Sequence, residues 1–512
     1  FVIYKRDRYK PRVGILNVIV RAGMMPSMRS LIRIDERDSL FHRLVGRHAE
    51  RNDVAVYADG RSYRYRDLER MTSRFCSYLR TRDVAEGDVV LLALHDSIEF
   101  IVAFLSCIRL GAIVGPLDPR ATGDELREIL SDVSPRCVLA VGSLAGRVDD
   151  RRFIKISDDR SPAFFHALLR TFPACRNVPS VDRNNPALLL FTSGTTGRPK
   201  GVLHAHKDLF VDAYPRTVLK ISPNDVLFSC SRLHTSYGLG NSLLFPLQSG
   251  AAAILSRDTP RPTTLREILI RKPTLFFAVP SLYDILLDHA DSLRASMRTI
   301  RYFVSAGEKL YDDLRRRWRT AFGRELLECY GSTEMCHPFV SNMPGEERTG
   351  SCGKVLDGFE IRLDGRGGMS CRGPSLFSGY WNDPALTKKK LVKGWFRSGD
   401  ILSQDQEGYL FIKGRETLVV KVHGKWCSLP DVENAIRSLP SVREAAVLPG
   451  EKGLDYVVAL RHSMDATSAG KDIRRHCIER LSLHELPRNI RFVERLPKTR
   501  SGKIDRRALS SI

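Results

Sequence analysis

Residues 191–201 carry the clearest chemical signal in this chain. They hold three glycines, four hydroxyl side chains, one arginine and one lysine in eleven positions. Glycines allow the backbone to turn with positive φ and to approach an anion closely, while main-chain N–H groups, hydroxyls and a lysine supply donors and charge. No Gly-Lys-Ser/Thr triplet closes the run, which excludes the Walker type of loop. The run predicts a polyphosphate-binding loop rather than a flexible surface turn, with these contacts: Thr192, Ser193, Gly194, Thr195, Thr196, Gly197 and Lys200.

Two shorter runs contain side chains that suit a nucleotide. In residues 330–334, the ring of Tyr330 can stack on adenine and Glu334 can hold Mg²⁺ through hard oxygen ligands. In residues 395–400, Asp400 follows a glycine turn, where its carboxylate can accept hydrogen bonds from both ribose hydroxyls. Taken alone, the first run is better explained as an ordinary strand-end turn, and a hairpin turn explains the second equally well.

A basic loop near the C-terminus is the last candidate for chemistry. Residues 496–503 carry Lys498, Arg500 and Lys503 close to a glycine. Taken alone, this loop is explained equally well as a solvated basic tail.

The elements that must position these runs alternate between helix and strand. Apolar spacing predicts helices over residues 67–82 and 99–110, and apolar runs predict buried strands over residues 89–94, 112–117 and 187–191. Similar strands are expected at residues 137–141, 251–255, 275–279, 302–304 and 326–329. This βαβ rhythm predicts an α/β fold with largely parallel sheets covered by helices.

The pattern changes after about residue 350, where shorter strands are separated by Gly and Asp. Strands are expected at residues 360–363, 408–413 and 417–422, followed by a compact α+β piece with a helix over 430–439 and strands over 444–448 and 457–461. We place the main domain boundary at Arg415, giving a large domain over residues 36–415 and a small one over 416–512. Residues 1–35 are a basic extension that we do not assign to either domain. It is either a transit-type segment or sequence upstream of a start at Met24, Met25 or Met28.

The overall composition is that of a globular enzyme with an unusual charge. The net charge is +22, but the cations are spread along the chain and no RNA- or DNA-binding motif accompanies them, so anionic substrates explain them better than a specific nucleic acid. Eleven scattered cysteines with no Cys-x-x-Cys pair favour a reducing cytoplasm over a zinc site or a disulfide framework. The longest apolar stretch, residues 100–117, is interrupted by Arg109 and Gly111 and predicts a helix and a strand, not a membrane span.

The order of the four runs at 191–201, 330–334, 395–400 and 496–503 resembles the adenylate-forming superfamily of acyl- and aryl-CoA ligases, peptide-synthetase adenylation domains and luciferases. The resemblance covers residues 36–509. Residues 305–308, 331–337, 341–345 and 237–247 are most similar to the benzoate-CoA ligase branch. Amino-acid-activating members have an Asp in the segment where this chain has Ser236 and Tyr237, so the resemblance disfavours an amino-acid substrate.

The resemblance implies a fold, a reaction and a set of site residues. The large domain should add a distorted β-barrel subdomain, and the small α+β domain should be mobile. ATP and coenzyme A are the expected co-substrates, and Mg²⁺ is the expected metal. The expected substrate is a carboxylic acid, with an aromatic acid favoured. Lys503, Thr195, Glu334 and Lys200 take catalytic roles, with Glu334 and Thr195 at the metal. The expected acid pocket is formed by Ser236, Tyr237, His337 and Pro338. The expected contacts with the nucleotide and the thiol are those of the phosphate loop together with Ser305, Ala306, Gly307, Glu308, Tyr330, Gly331, Ser332, Thr333, Asp400, Arg415, Lys421 and Gly424.

Several positions depart from the pattern of the superfamily. The usual hinge Asp is replaced by Thr417, and Leu429-Pro430-Asp431 stands where Pro-x-Glu is more usual. These departures concern domain rotation and transfer to the thiol more than adenylate formation. His337 has the alternative interpretation of a hydrogen-bonded core histidine. Three functions stay open: an acyl- or aryl-CoA ligase, an enzyme that loads an acyl carrier protein, and a catalytically weak nucleotide-binding relative.

Overall fold

The fold is described from a computed structural model. It describes residues 39–512 except 147, 149, 159–160, 176–178, 194–198, 258–264, 266–268, 451–452, 462–464, 499–503 and 511–512. Among the described residues, no helix combines the length and the apolar character that crossing a membrane requires.

The described helices of the large domain cover the faces of its sheets. In chain order they are α1 (Leu40–Leu44), α2 (Tyr65–Thr81), α3 (Ile98–Leu110), α4 (Gly123–Val133), α5 (Gly142–Ala145), α6 (Ala163–Arg170), α7 (Ser236–Leu239), α8 (Phe245–Ser249), α9 (Pro280–Leu287), α10 (Ala290–Leu293), α11 (Asp312–Phe322) and α12 (Pro384–Lys390). Short 3₁₀ or π turns occur at Gly46–His48, His206–Leu209, Ala213–Val218, Gly240–Leu244 and Thr333–Met335.

Strands of the large domain form three sheets. In chain order they are β1 (Val54–Ala58), β2 (Arg61–Arg64), β3 (Val89–Ala93), β4 (Ile113–Pro116), β5 (Cys137–Val141), β6 (Phe153–Ser157), β7 (Pro186–Ser193), β8 (Pro199–Ala205), β9 (Val226–Ser229), β10 (Ala252–Ile254), β11 (Leu275–Ala278), β12 (Tyr302–Ser305), β13 (Leu326–Gly331), β14 (Pro338–Ser341), β15 (Lys354–Val355), β16 (Glu360–Leu363), β17 (Gly368–Arg372), β18 (Gly379–Tyr380), β19 (Leu391–Val392), β20 (Trp395–Gln404) and β21 (Leu410–Arg415).

Two of these sheets have the parallel centres that the βαβ rhythm predicts. The nine-stranded sheet has the order β15-β14-β13-β12-β11-β9-β10-β1-β2, and the seven-stranded sheet has the order β18-β8-β7-β4-β3-β5-β6. Neighbouring strands from β1 through β13 in the first sheet, and from β7 through β6 in the second, run parallel. Nearly every residue of α3 is buried, as expected of a helix enclosed on all sides by other elements. The predicted α/β architecture is confirmed.

The third sheet of the large domain is antiparallel and lies where we expect the distorted barrel. Its order is β16-β17-β20-β19, with β21 paired to β20. In the last pairing, Asp400 is the register partner of Arg415. A strand was predicted over residues 408–413, and it runs two residues further, to Arg415, because it continues to pair along β20.

The small domain has a hairpin and a three-stranded sheet. After a 3₁₀ turn at Glu416–Leu418 come β22 (Val419–Val422), β23 (Lys425–Ser428), α13 (Leu429–Arg437), β24 (Val442–Gly450), β25 (Gly453–Leu460), α14 (Ala466–Arg480), a 3₁₀ turn at Leu483–Glu485, β26 (Pro487–Phe492) and α15 (Arg506–Ser510). Its buried apolar side chains, from Val422 to Leu509, pack in clusters of their own. The domain boundary at Arg415 stays a prediction that agrees with these separate cores.

Candidate active site

The candidate site lies at one edge of the nine-stranded sheet, where β12 and β13 end. Ser305 closes β12 opposite Glu328, and Tyr330 and Gly331 close β13. The carboxyl ends of parallel strands meet at the same edge of a sheet, and ligands bind in the crevice outside that edge. A β-carbon on Gly331 would lie 2.9 Å from the carbonyl oxygen of His337, so this turn needs a glycine.

Tyr330, Asp400 and Arg415 form one hydrogen-bonded cluster. The hydroxyl of Tyr330 donates to Oδ2 of Asp400 over 2.5 Å, and Nε of Arg415 lies 2.9 Å from Oδ1 of the same carboxylate. Burial raises the pKa of the Tyr330 phenol well above its usual value, and the Asp400 charge raises the pKa of Arg415. The structure therefore brings together three residues that were predicted to contact adenosine.

Glu334 is connected to the strand that carries Lys200. Its Oε1 accepts a 2.8 Å hydrogen bond from the hydroxyl of Tyr380. Tyr380 belongs to β18, where it is the register partner of Val202 in β8. His204 also lies in β8, and its Nε2 is 2.8 Å from the carbonyl oxygen of Thr333. Two side-chain contacts thus fix the predicted metal ligand next to the strand that leaves the predicted phosphate loop.

The predicted phosphate loop itself is described only at its two ends. Thr192 and Lys200 are register partners in the antiparallel pairing of β7 and β8, and Ser193 is the last residue of β7. Gly194, Thr195, Thr196 and Gly197 lie outside the described residues. Their roles stay predictions.

The segment from Ser305 to Glu308 leaves β12 at the edge that Tyr330 occupies. Gly307 has a φ of +85°, and Glu308 accepts hydrogen bonds from the backbone N–H and hydroxyl of Ser281 at 3.2 and 3.3 Å. Ala306 is buried. The buried Oγ atoms of Ser305 and Ser332 have no hydrogen-bond partner among the described residues. Buried polar atoms are rarely left unpaired without a reason, so both hydroxyls are candidates for contacts with a ligand.

The four predicted pocket residues reach the same edge from two directions. Ser236 begins α7, and the hydroxyl of Tyr237 donates to the carbonyl oxygen of Val304 over 3.2 Å. Pro338 is the register partner of Gly331. The ring of Tyr237 stands edge-on to Phe277. Tyr237 and Pro338 thus lie at the ends of β12 and β13, and the acid pocket that was assigned to these residues stays a prediction.

His337 has the contacts of a hydrogen-bonded core histidine. Its Nε2 lies 3.0 Å from the carbonyl oxygen of Asp208, and its ring centroid lies 5.5 Å from that of Phe245. Burial lowers the pKa of His337 to about 4. The other ring nitrogen, Nδ1, is buried with no partner among the described residues. Nε2 therefore anchors a neutral ring, as in a hydrogen-bonded core histidine, and a contact of His337 with the acid stays a prediction.

The predicted thiol-side residues lie on the hairpin of the small domain. Lys421 and Gly424 are exposed, and Nζ of Lys421 lies 5.0 Å from the ring centroid of Trp426 within the same hairpin. Lys503, the predicted catalytic lysine, lies outside the described residues. Thr417 occupies the middle of the 3₁₀ turn that directly follows Arg415.

Sequence reasoning missed Tyr380 and His204, which hold Glu334 and Thr333. Neither residue belongs to a recognisable run, and both act through contacts with segments more than 40 positions away. The signal that connects them, the pairing of β18 with β8, is visible only in the folded chain.

Comparisons with known proteins agree with this geometry. The family profile described as AMP-binding enzyme matches residues 43–381, and that of the AMP-binding enzyme C-terminal domain matches residues 431–503. The chain is 34% identical to a benzoate–CoA ligase of Thauera aromatica over 94% of this chain and 97% of the relative. It is 31% identical to a 3-hydroxybenzoate–CoA ligase of Aromatoleum sp. (strain CIB) over 88% of this chain and 92% of the relative. A solved benzoate CoA ligase from Burkholderia xenovorans LB400 superposes with a TM-score of 0.85 at 30% identity, covering 92% of this chain and 99% of that one.

Proposed function

Because this chain belongs to the AMP-binding enzyme family, we propose that it activates an aromatic carboxylic acid with ATP and transfers the acyl group to coenzyme A. In the first half-reaction, a carboxylate oxygen attacks the α-phosphorus of ATP, and acyl-AMP and pyrophosphate are formed. In the second, the thiol of coenzyme A attacks the acyl carbon, and the thioester forms as AMP leaves with the bonding electron pair. The cluster of Tyr330, Asp400 and Arg415 beside Glu334 is the observation that carries this proposal.

The adenosine part of ATP is assigned to this cluster. The ring of Tyr330 offers a face for adenine, and Asp400 offers acceptors for the ribose hydroxyls. Arg415 pairs with Asp400 and Tyr330 donates to it, so the carboxylate is held in one orientation before the nucleotide binds. Orientation of this kind lowers the entropy that the reaction must lose on reaching its transition state.

The residues around Glu334 fit a magnesium ion. Mg²⁺ is usually held by one or two carboxylates together with substrate phosphates, and Glu334 is a partly exposed carboxylate that Tyr380 orients. When bound, the ion would neutralise charge on the phosphates. Lys200 lies on the strand that follows the phosphate loop and would add a positive charge there. We assign the neighbouring Thr195 to the same ion.

The acid is assigned to the space between α7 and the start of β14. The partly exposed ring of Tyr237 is proposed as an aromatic wall, and the neutral His337, whose Nε2 donates to the carbonyl oxygen of Asp208, keeps Nδ1 as an acceptor. A neutral polar atom and an aromatic face suit the ring of an aryl acid, whereas a substrate ammonium would need an acidic partner. The two curated relatives act on benzoate and 3-hydroxybenzoate, and we propose an acid of the same class for this chain.

The two half-reactions are assigned to two orientations of the small domain. In one orientation Lys503 bridges the carboxylate and the α-phosphate, and in the other Lys421 and Gly424 line the path of the thiol. Movement of a domain is an established way to divide two chemistries within one site. The turn that holds Thr417 would have to absorb the rotation. We place the enzyme in the cytoplasm, since its eleven cysteines are scattered with no Cys-x-x-Cys pair and suit a reducing compartment.

Pyrophosphate release across a panel of acids tests the proposal. The panel contains benzoate, its hydroxy and amino derivatives, short and long fatty acids and amino acids, each with and without coenzyme A. We expect release with the aryl acids alone and formation of the aryl-CoA thioester when coenzyme A is added. If aryl acids give pyrophosphate release but the thioester forms only on an added acyl carrier protein, the acceptor is that carrier protein and not coenzyme A. No release with any acid would contradict the proposed function.

A further inference from the structure

An ion pair joins the two domains directly beside the nucleotide segment. Nζ of Lys309 lies 2.7 Å from Oδ1 of Asp431. Lys309 follows Glu308 in the large domain, and Asp431 lies in the first turn of α13 in the small domain. We propose that this pair, here called the domain latch, positions the small domain for adenylate formation. The inference rests on the proposed function.

The large-domain end of the latch is rigidly held. Glu308 is bonded to Ser281 at the start of α9, and Leu310 is buried while its backbone N–H donates to Glu328 over 3.4 Å. The buried Glu328 is paired in turn with Arg315 at 2.9 Å. Lys309 therefore projects from a segment that is anchored on both sides, and a group can position another only if it is itself held in place.

The small-domain end is equally well placed. Ser428 caps α13, with its Oγ accepting from the backbone N–H of Asp431 over 3.4 Å and donating to the carbonyl oxygen of Lys413 over 2.9 Å. The negative charge of Asp431 lies in the first helical turn, where the helix dipole stabilises it. The latch thus joins the nucleotide segment to the helix that follows the interdomain turn.

Two further contacts on the same face strengthen the latch. The guanidinium of Arg437 lies 4.8 Å from the ring centroid of Tyr311, and Lys309 lies 5.9 Å from that centroid on its own segment. Arg461, at the end of β25, lies 3.6 Å from Asp284 of α9. An isolated surface pair contributes little, whereas several charged contacts between the same two domains together contribute more.

The hairpin of the small domain indicates which orientation the latch holds. Lys421, His423, Gly424 and Lys425 are exposed, and Trp426 is 57% exposed. Under the proposed function, this hairpin should be covered by the large domain when it lines the path of the thiol. Its exposure here assigns the latched orientation to the first half-reaction.

Substitutions at Asp431 test the latch through its unequal effect on the half-reactions. Asp431→Asn removes the charge and keeps the shape, and it should slow pyrophosphate release about two- to five-fold. Thioester formation from supplied benzoyl-AMP and coenzyme A should stay at the wild-type rate or rise. Asp431→Glu restores the charge and should restore pyrophosphate release. Lys155→Met breaks a Lys–Asp pair of the same 2.7 Å length away from the interface and is the matched control. Equal slowing of both half-reactions, or no change in either, would overturn the latch.

A zero-length cross-link tests the latch without any activity. A carbodiimide joins a lysine to a carboxylate that it contacts, and digestion with mass spectrometry should recover the peptide pair containing Lys309 and Asp431. The pair Lys498–Glu444, at 2.5 Å within the small domain, is the internal control. Recovery of the control link without the interdomain link would contradict the latch. Wild-type protein that shows the link but releases no pyrophosphate with any acid would contradict the proposed function, and only the ion pair between the domains would stand.

Discussion

The hydroxyl of Tyr330 donates a 2.5 Å hydrogen bond to the carboxylate of Asp400, although the two residues lie 70 positions apart. Tyr330 closes a strand of the nine-stranded sheet, and Asp400 lies within the antiparallel sheet of the large domain. A carboxylate offers about four acceptor positions, and Tyr330 and Arg415 use two of them. One contact therefore joins two subdomains, and under the proposed function the remaining positions would accept from the ribose hydroxyls.

Replacing Asp400 should weaken the binding of ATP more than that of the acid. Asp400→Asn removes the charge that Arg415 faces and one acceptor for the ribose, and hydrogen bonds to charged groups contribute about 1.5–3 kcal/mol. The KM for ATP should therefore rise by about one to two orders of magnitude, with the KM for benzoate little changed. Steady-state pyrophosphate release measures both constants. Glu360→Gln, which breaks the exposed pair of Glu360 with Arg372 in the same sheet, is the control and should behave as wild type. An unchanged KM for ATP in a folded Asp400→Asn protein would contradict the assignment.

The long periodic elements of this fold could be predicted from the sequence alone. The helix expected over residues 99–110 is Ile98–Leu110, and the strand expected over residues 137–141 is Cys137–Val141. Strong apolar periodicity fixes such elements locally. The prediction was wrong at residues 417–418, which were assigned to a strand and form part of a 3₁₀ turn. The strand begins only at Val419, where pairing with Ser428 starts, because the chain must first turn out of the preceding sheet.

The site was predictable only in part. The runs around Tyr330 and Asp400 were visible as motifs, but their direct contact depends on two sheets meeting in space. Tyr380 carried no signal, since it lies in a two-residue strand whose partner, β8, is almost 180 positions earlier. His337 had two interpretations in the sequence, and only the packed structure assigns Nε2 to a backbone carbonyl and leaves Nδ1 without a partner in the described part of the chain. In each case, the deciding contact joins residues that are far apart in the sequence.

Lys503 should be required for one half-reaction and not for the other. Lys503→Ala removes the charge proposed to bridge the carboxylate and the α-phosphate, and removal of one such electrostatic contact slows a reaction by about two to three orders of magnitude. Pyrophosphate release should fall by that factor, whereas thioester formation from supplied benzoyl-AMP should continue. Lys498→Ala, in the same basic loop but paired with Glu444, is the control. Equal loss in both half-reactions would contradict the role of Lys503.

The hydroxyl of Tyr380 should increase the affinity of the Glu334 site for Mg²⁺. Tyr380→Phe removes the hydroxyl that donates to Glu334 and keeps the ring that packs edge-on against Phe377. Without that bond the carboxylate loses its fixed orientation, and groups that orient a metal ligand typically change affinity by about 10-fold or more. The Mg²⁺ concentration for half-maximal pyrophosphate release should rise accordingly. Tyr409→Phe, which loses a hydroxyl bonded to the carbonyl oxygen of Glu346, is the matched control. The same magnesium dependence in both variants would exclude Tyr380 from the metal site.

Four buried histidines should each lower the stability of the fold as the pH falls below the ordinary histidine pKa. Burial lowers the pKa of each of four histidines from 6.5 to about 4: His48, His206, His234 and His337. Between these two values the unfolded chain binds protons that the folded chain does not, so the free energy of unfolding decreases as the pH falls through this window. The folded chain keeps these rings neutral down to about pH 4. The free energy of unfolding that they contribute is complete above pH 6.5 and is lost progressively between pH 6.5 and pH 4.

His337 allows this pH dependence to be tested at a single position. At pH 5, one histidine with this shift should cost about 2 kcal/mol of unfolding free energy relative to pH 7. His337→Gln removes the titrating group and keeps a donor for the carbonyl oxygen of Asp208, so it should reduce the difference between urea unfolding curves at pH 7 and pH 5 by about that amount. His423→Asn, at an exposed hairpin position with a φ of +49° that asparagine tolerates, is the control and should leave the difference unchanged. If His337→Gln keeps the full wild-type loss between pH 7 and pH 5, the neutral state assigned to His337 is wrong, and with it the neutral acceptor nitrogen proposed for the acid pocket.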